Sequence, residues 1–351
     1  MSVFDCSSEM SKYHGEKVTL RDKDRKDMRE RRDNGRIRLK NGLNNNDHAQ
    51  PKIVCSQGSY QMRTMIQDED CDYDIDDGVY FLPNDLKNGD GVDLTPLQAR
   101  QRVCDALSYD LRFASPAEVH NNCVRQEYQA GYHIDMPVYR IQVQNEGMDN
   151  EKEIYELASG NMWQVSDARA VTQWFRNAIS QLNGEDGVDG LQMRHVVRLT
   201  KAFARSRKEW KNKTASGITL TRLVVDEFRP FKNRDDQALL ETWKVINSRL
   251  ATSTKVEHPV NATELAKEGD EKVTFFRNCM SDALEILATL EKDDCTRNEA
   301  RDAWDSVFNT TYFGNLPDPR NSGSDAKTFF VATESKTDTR DDGNGRYGWG
   351  S

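Results

Sequence analysis

The sequence contains neither a long apolar run nor a closely spaced cysteine pair. No stretch approaches the length of a membrane span, and the first residues, MSVFDCSSEM, lack the apolar core of a signal peptide. The seven cysteines are odd in number and widely spaced, with no CxxC motif among them. We therefore expect reduced thiols in a cytoplasm, no disulfide framework, no zinc site and no membrane partner.

The chain also lacks an excess of basic residues. It has 58 acidic and 49 basic residues among 351, for a formal net charge of −9. This balance argues against a general nucleic-acid binder and predicts no obligate nucleic-acid partner, although a local basic cleft remains compatible with it. The length is sufficient for a full core, which we expect to be divided between two lobes that share one cleft.

One stretch combines a glycine-serine pair with closely spaced carboxylates. It runs QGSYQMRTMIQDEDCDYDIDDG from Gln57, with Gly58-Ser59 near its start and Asp74-Ile75-Asp76 near its end. A glycine lets a backbone amide approach a phosphate, and the serine hydroxyl can bind a phosphate oxygen. Because residues two apart in a strand point to one side, Asp74 and Asp76 should share a face. Gln57 is a candidate for indirect support of the nucleotide.

A third carboxylate is predicted farther along the chain, in the segment HIDMPVY. Its alternation places Asp135 on the face opposite the apolar side chains, as expected in a short strand. Three hard carboxylates of this kind can hold two magnesium ions, which a nucleoside triphosphate bridges. A lone Gly-Ser pair is usually a turn, and a lone Asp-x-Asp is usually a solvated loop. Their combination in this order predicts a nucleotidyltransferase.

The remaining pattern predicts an α+β fold. The first half has several strand-like segments, and from Ser166 onward the periodicity is helical. We expect a weakly ordered N-terminus over residues 1–18, then a core with an N-terminal spine helix over 19–165. A helical lobe over 166–314 and a mostly flexible tail over 315–351 should follow.

Several motifs resemble those of one known family. Residues 56–82 resemble the active-site segment of the bacterial cGAS/DncV-like nucleotidyltransferases, or CD-NTases, and within them the DncV-type cyclic GMP-AMP synthases most closely. Further similar motifs, in the same order, are HIDMPVY, W-x-x-SD-x-x-x-V-x-x-WF, R-L-x-KAF and ASGITL. The resemblance covers roughly residues 10–230, and beyond them only a helical pattern continues.

The resemblance implies a fold, a cofactor and further site residues. The fold is a polymerase-beta-like nucleotidyltransferase lobe with a central mixed sheet, plus a helical lobe, with the active site in the cleft between them. Asp74, Asp76 and Asp135 would hold two Mg²⁺ ions, for which Mn²⁺ can substitute. The nucleotide would be bound by Gln57, Gly58, Ser59, Ser166, Asp167, Lys201 and Ser216.

The implied function is synthesis of a cyclic di- or trinucleotide from ATP, with or without GTP. Cyclic GMP-AMP is the best single product, made in the bacterial cytoplasm for the antiphage system called CBASS. The C-terminal tail, which contains Tyr347 and Trp349, is a candidate segment for binding a regulatory or conjugating partner protein. Two alternatives stay open: a non-cyclising nucleotidyltransferase toxin that modifies tRNA or protein, and a catalytically inactive binding module.

Overall fold

The chain forms two compact units. The computed structural model describes residues 3–68, 73–109, 116–128, 131–145, 147–148, 151–182 and 190–318. Among the described residues, one unit contains a sheet and is built from residues 20–63 and 68–172, whereas residues up to 19, residues 64–67 and residues 173–318 form a mainly helical unit. The change from one unit to the other therefore falls inside a helix, a few residues after the predicted position near residue 165. Within the described ranges, no helix is long and apolar enough to span a membrane.

The first unit is organised around an eight-stranded mixed sheet. Its strands are β1 (Ile53–Gln57), β2 (Tyr73–Phe81), β3 (Glu118–Val119), β4 (Val124–Glu127), β5 (Tyr132–Met136), β6 (Val138–Gln144), β7 (Lys152–Ser159) and β8 (Met162–Val165). Strand β2 pairs antiparallel with β1 and parallel with both β5 and β6. The other pairs in this sheet are antiparallel. This mixed sheet, combined with helices, confirms the α+β class.

Strands β5 and β6 form one interrupted strand along β2. Asp76 lies opposite Asp135 before the interruption, and Val79 lies opposite Val138 after it, so the register does not change. Pro137 separates the two halves because it has no N–H to donate, but its carbonyl still accepts from the Val79 N–H at 2.9 Å. The unchanged register fixes Asp135 beside Asp76.

Two helices of this unit are α2 (Asp22–Asn45) and α4 (Pro96–Leu107). Helix α4 begins with proline at its first position and a capping box between Thr95 and Gln98, both favoured at a helix start. Strands β7 and β8 had no counterpart in the sequence prediction. Their half-buried pattern gives a weaker signal than the apolar run of β2.

The second unit packs its helices around aromatic side chains. Helix α5 (Ala168–Leu182) enters it, and α6 (Gly190–Ala204), α7 (Gly217–Glu227), α8 (Asp235–Thr252), α9 (Glu271–Leu287) and α10 (Arg297–Phe308) follow, with a small hairpin of β9 (Val256–Glu257) and β10 (Glu264–Ala266). The ring of Phe203 lies 4.7 Å from that of Trp243 and 6.2 Å from that of Phe276. The predicted helices of the second half are thus present.

The N-terminus is helical, whereas the sequence suggested weak order there. Helix α1 (Ser7–Tyr13) is followed by a π-helical segment, His14–Val18. Cys6, Met10 and Tyr13 are buried because their spacing places them on one face of the turn. Residues 315–318 of the predicted tail are described, and the rest of the tail, residues 319–351, lies outside the described residues.

Candidate active site

Neighbouring strands bring three carboxylates together. Asp74 and Asp76 are two residues apart in β2, so their side chains leave the same face of the sheet. The parallel register pairs Asp76 directly with Asp135 of β5, and Asp74 with His133. A histidine nitrogen, Nδ1 of His133, lies 3.4 Å from Oδ1 of Asp74. The three predicted aspartates therefore occupy adjacent positions on one face.

Burial and crowding raise the pKa of the central carboxyl. The pKa of Asp76 is raised to about 7, first by burial and then by the charges of Asp135 and Asp74. Both causes penalise the ionised form, the first through lost hydration and the second through repulsion. The site therefore holds negative charge that a bound cation would stabilise.

The glycine of the Gly-Ser pair closes directly against this carboxylate. Gly58 opens the short helix α3 (Gly58–Gln61) immediately after β1. Its φ is +64°, and a Cβ atom at this position would overlap Oδ2 of Asp76. Only glycine meets both conditions without strain. The half-buried Ser59 follows in the first turn of α3, and its phosphate-binding role stays a prediction.

The side chain of Gln57 is turned into the core of the sheet. Its Nε2 donates to the Tyr139 hydroxyl at 3.1 Å, and its Oε1 accepts from the Tyr80 hydroxyl at 3.0 Å. The two tyrosine rings stack with centroids 4.4 Å apart. Gln57 thus fixes the end of β1, which leads directly into Gly58, and any influence of its amide on a nucleotide would pass through that backbone.

A buried ion pair lies behind the carboxylates. Asp77 is fully buried and accepts from Arg36 at 2.6 and 2.7 Å and from the Ser56 hydroxyl at 3.0 Å. Ser56 and Asp77 are a cross-strand pair, next to the pair of Gln57 and Asp76. This network ties helix α2 to β1, which precedes Gly58, and to β2, which carries Asp76. Three arginines of helix α2, Arg32, Arg36 and Arg38, are accordingly buried.

Arg125 is a charged member of the site that the sequence interpretation missed. It lies in β4, directly across from Asp135, and its guanidinium forms a two-pronged ion pair with that carboxylate. A signal for it existed in the sequence. A hairpin with its turn near Gly131 that pairs Tyr128 with Tyr132 also sets residue 125 opposite residue 135.

The donor types match magnesium, although the aspartates are not gathered around one point. Across the described ranges, no group of three His, Cys, Asp or Glu side chains is close enough to hold a metal ion. Carboxylate oxygens are nevertheless the hard ligands that Mg²⁺ prefers. The raised pKa of Asp76 indicates that a nearby cation would stabilise its ionised form. The carboxylate oxygens suit a divalent metal once the Arg125 guanidinium releases at least one oxygen of Asp135.

Ser166 and Asp167 precede helix α5. The Asp167 carboxylate accepts from the Ala170 N–H at 2.9 Å and so caps the helix, while the Ser166 N–H donates to the Tyr155 carbonyl at 2.9 Å. The pKa of Tyr139 is raised, chiefly by burial, and the charges of Asp76 and Asp167 both contribute. Asp167 therefore shares an electrostatic neighbour with the carboxylate site, and its nucleotide-binding role stays a prediction.

Lys201 and Ser216 belong to the helical unit. The Lys201 ammonium is buried and donates to the Thr64 hydroxyl at 2.9 Å and to the Thr64 carbonyl at 3.3 Å. Burial lowers the pKa of Lys201 to about 7, and the nearby charges of Arg205 and Arg198 add to the effect. The Ser216 hydroxyl caps helix α7 by accepting from the Thr219 N–H at 3.3 Å. The next residue, Gly217, packs close to the lysine side chain, since a Cβ there would lie 3.6 Å from Cε of Lys201.

One segment of the chain, which contains the carboxylates and the Gly-Ser pair, matches a known family. Residues 52–139 match the family described as cyclic GMP-AMP synthase DncV-like, nucleotidyltransferase domain. This match contains Gly58, Ser59 and all three aspartates.

Solved structures of similar fold cover most of the chain. Vibrio cholerae DncV in complex with nonhydrolysable GTP is 18% identical with a TM-score of 0.67, over 87% of this chain and 96% of that one. The same enzyme with the linear intermediate 5′-pppA(3′,5′)pG is 18% identical with a TM-score of 0.65, over 88% and 96%. Escherichia coli CdnC with ATP is 16% identical with a TM-score of 0.63, over 88% and 98%. At this level of identity, the likeness shows a shared fold.

Proposed function

We propose that the chain is a cGAS/DncV-like nucleotidyltransferase that synthesises a cyclic oligonucleotide from ATP, with GTP as the second substrate and cyclic GMP-AMP as the product. The family match over residues 52–139 and the fold shared with DncV and CdnC support this proposal. The observation that carries the proposal is the pairing of Asp76 with Asp135, with Gly58 closing against Asp76, inside the matched segment. A relative with this fold binds the linear intermediate 5′-pppA(3′,5′)pG. That complex supports a two-step reaction with a released cyclic product.

In each step a ribose hydroxyl oxygen bonds to an α-phosphorus, and pyrophosphate leaves. Two Mg²⁺ ions, or Mn²⁺ in their place, would stabilise the attacking and leaving oxygens of this transfer. Asp74 and Asp76 would hold both ions, and Asp135 would hold one of them and accept the proton of the attacking hydroxyl. The Gly58 amide and the Ser59 hydroxyl would donate to the terminal phosphates.

The remaining nucleotide contacts are assigned by the same proposal. Lys201 would pair with the triphosphate, because a buried ammonium gains most from a nearby anion. Ser166 and Asp167 would approach the ribose or the base, and Ser216 would lie near the nucleotide. Gln57 would act indirectly by fixing the end of β1, directly before Gly58.

The test is incubation of the purified protein with Mg²⁺ and α-³²P-labelled ATP and GTP, followed by phosphatase treatment. A phosphatase-resistant small product, identified by mass spectrometry as cyclic GMP-AMP, is the expected result. Label in tRNA or protein would show the transferase toxin instead. Absence of any labelled product, under conditions in which the protein binds nucleotide, would favour the inactive binding module.

We further propose a role in CBASS defence in the bacterial cytoplasm, where ATP and GTP are held. The tail contains Tyr347 and Trp349 in an otherwise polar sequence, and aromatic side chains of this kind anchor well in a partner's pocket. A protein ending at Val331 should retain synthesis in vitro and lose antiphage protection in cells that supply the partner. Full protection by the shortened protein would remove the tail from the proposal.

A further inference from the structure

Arg125 engages both oxygens of one catalytic carboxylate. Its Nε lies 2.8 Å from Oδ1 of Asp135, and its Nη2 lies 2.8 Å from Oδ2. Strands β4 and β5 impose this pairing because residues 125 and 135 are direct cross-strand neighbours. Bidentate pairs of this kind are among the stronger hydrogen-bonded ion pairs in proteins.

The same guanidinium reaches a second carboxylate. Nη2 of Arg125 lies 3.4 Å from Oδ1 of Asp74. One positive charge therefore contacts two of the three aspartates. The arginine side chain is 25% exposed and that of Asp74 is 54% exposed, so the guanidinium borders solvent and has room to leave.

A divalent metal ion and this guanidinium require the same oxygens. An arginine only donates, and a metal ion needs the lone pairs to which those donors point. Two cations held at the same carboxylates would also repel each other at short range. Metal binding to Asp135 through its outer lone pairs would leave this repulsion in place, whereas movement of Arg125 would remove it.

We propose that Arg125 is the built-in counter-ion of the metal-free site and that a divalent metal must displace it from Asp135 and Asp74. This inference rests on the proposed metal site and adds a residue to it. Arg125 then has two opposite effects. It stabilises the protein without metal by neutralising crowded carboxylates, and it weakens metal binding because its ion pair must first be broken.

The test measures metal binding rather than catalysis. Arg125→Gln should bind Mn²⁺, followed by the electron paramagnetic resonance signal of the free ion without nucleotide, about tenfold or more tightly than the wild type. In EDTA the variant should melt at a lower temperature, since its aspartates repel without relief. Addition of Mn²⁺ should therefore raise its melting temperature more than that of the wild type.

Two matched variants separate this role from loss of an ordinary ion pair. Arg125→Lys keeps the charge but not the fork, so its Mn²⁺ affinity should fall between those of Arg125→Gln and the wild type. Arg140→Gln breaks a similar pair in the same sheet, in which Arg140 lies across from Glu156 at 2.7 and 2.9 Å. That control should leave Mn²⁺ affinity unchanged.

The possible outcomes are distinct. Equal or weaker Mn²⁺ binding by Arg125→Gln would overturn the displacement model while leaving the metal site in place. Failure of wild-type and variant alike to bind Mn²⁺ would overturn the metal site and, with it, the proposed function. If Arg125→Gln does not fold, Arg125→Lys decides the question, because unchanged or weaker Mn²⁺ binding by that variant contradicts the proposal.

Discussion

Two ionisable groups of this protein, one in each unit, have pKa values that are shifted in opposite directions and end close together. The pKa of Asp76 in the sheet unit is raised to about 7, and that of Lys201 in the helical unit is lowered to about 7. Burial is the largest cause in both cases, because the ionised form loses its hydration. Each group is therefore only partly ionised near neutral pH, and each would gain from a ligand of opposite charge.

The two surroundings differ in what they supply. The carboxylates have Arg125 in their own hairpin, whereas Lys201 donates to the neutral oxygens of Thr64 and has two arginines nearby that disfavour its charge. A site that is occupied by its own counter-ion exchanges one cation for another when it binds metal. A lysine without such a partner gains its proton and its partner together when an anion binds, which suits a triphosphate.

The largest effect on activity is expected from changes to the three carboxylates of the sheet unit. Asp74→Asn combined with Asp76→Asn should lower kcat/KM for cyclic product by about a thousandfold or more, because charge stabilisation in the transfer step depends on these ligands. The fold should persist, since the change relieves repulsion in the metal-free protein. Radiolabelled product formation and thermal melting measure the two outcomes.

The exposed loop residues Asp90 and Asp93 offer a control of equal charge. Changing both to Asn alters net charge identically and should leave kcat/KM near the wild-type value. Wild-type rates in the Asp74/Asp76 double variant would show that the active site lies elsewhere.

More of the carboxylate site than of the surroundings of Lys201 could be predicted from the sequence. The shared face of Asp74 and Asp76 follows from strand periodicity, because residues two apart in a strand point to one side. Pairing within a sheet is set by tertiary contacts, so the placement of Asp135 beside Asp76 became visible only with the β2–β5 register. Arg125 follows from the β4–β5 register in the same way, since that register pairs residue 125 with residue 135.

The environment of Lys201 was beyond sequence reasoning. Its helix and its similarity to the family motif were recognisable, but its hydrogen-bond partner, Thr64, is 137 residues away. Thr64 lies in a four-residue segment, 64–67, that leaves the sheet-forming part of the chain and joins the helical unit. No local pattern signals such an excursion, because it depends on long-range packing.

The lowered pKa of Lys201 predicts that the stability of the protein depends on pH. The folded-state pKa of Lys201 is about 7 against an ordinary value of 10.5, so above pH 7 the unfolded chain binds more protons than the folded one. The free energy of unfolding should therefore rise with pH through this window. Lys201→Met should lack that rise, so its stability relative to the wild type is greatest near about pH 6 and declines toward about pH 9.

Urea denaturation midpoints across this pH range provide the measurement, and Lys244→Met provides the control. Lys244 pairs with Glu241 and Glu291, and its pKa is raised. The stability from that pair is therefore already present below the ordinary lysine pKa and is lost only at higher pH. Parallel pH profiles for wild type and Lys201→Met would show that Lys201 keeps an ordinary pKa.

An intermediate effect on activity is expected at Ser59. Its substitution tests how much the Gly58-Ser59 pair contributes to phosphate binding. Ser59→Ala should lower kcat/KM by about ten- to a hundredfold, as expected for loss of a hydrogen bond to a charged group. Ser59→Thr keeps the hydroxyl and should recover most of the activity. If Ser59→Ala matches the wild type, Gly58-Ser59 is an ordinary turn and the phosphate contacts come from elsewhere.

The smallest effect is expected where a neutral oxygen supports a buried charge. Thr64→Val removes the hydroxyl that accepts from Lys201 at 2.9 Å while leaving the carbonyl in place. The ammonium form loses a charge-assisted hydrogen bond, so the pKa of Lys201 should fall further, by about one unit. KM for ATP should then rise several-fold at neutral pH and return toward the wild-type value as the pH is lowered.

Thr200→Val is the matched control, because the Thr200 hydroxyl accepts at 2.9 Å from the neutral Trp243 indole. Its loss should lower stability without a change in pH dependence. A pH-independent KM in Thr64→Val would mean that the hydroxyl only fills space beside Lys201 and does not set its charge.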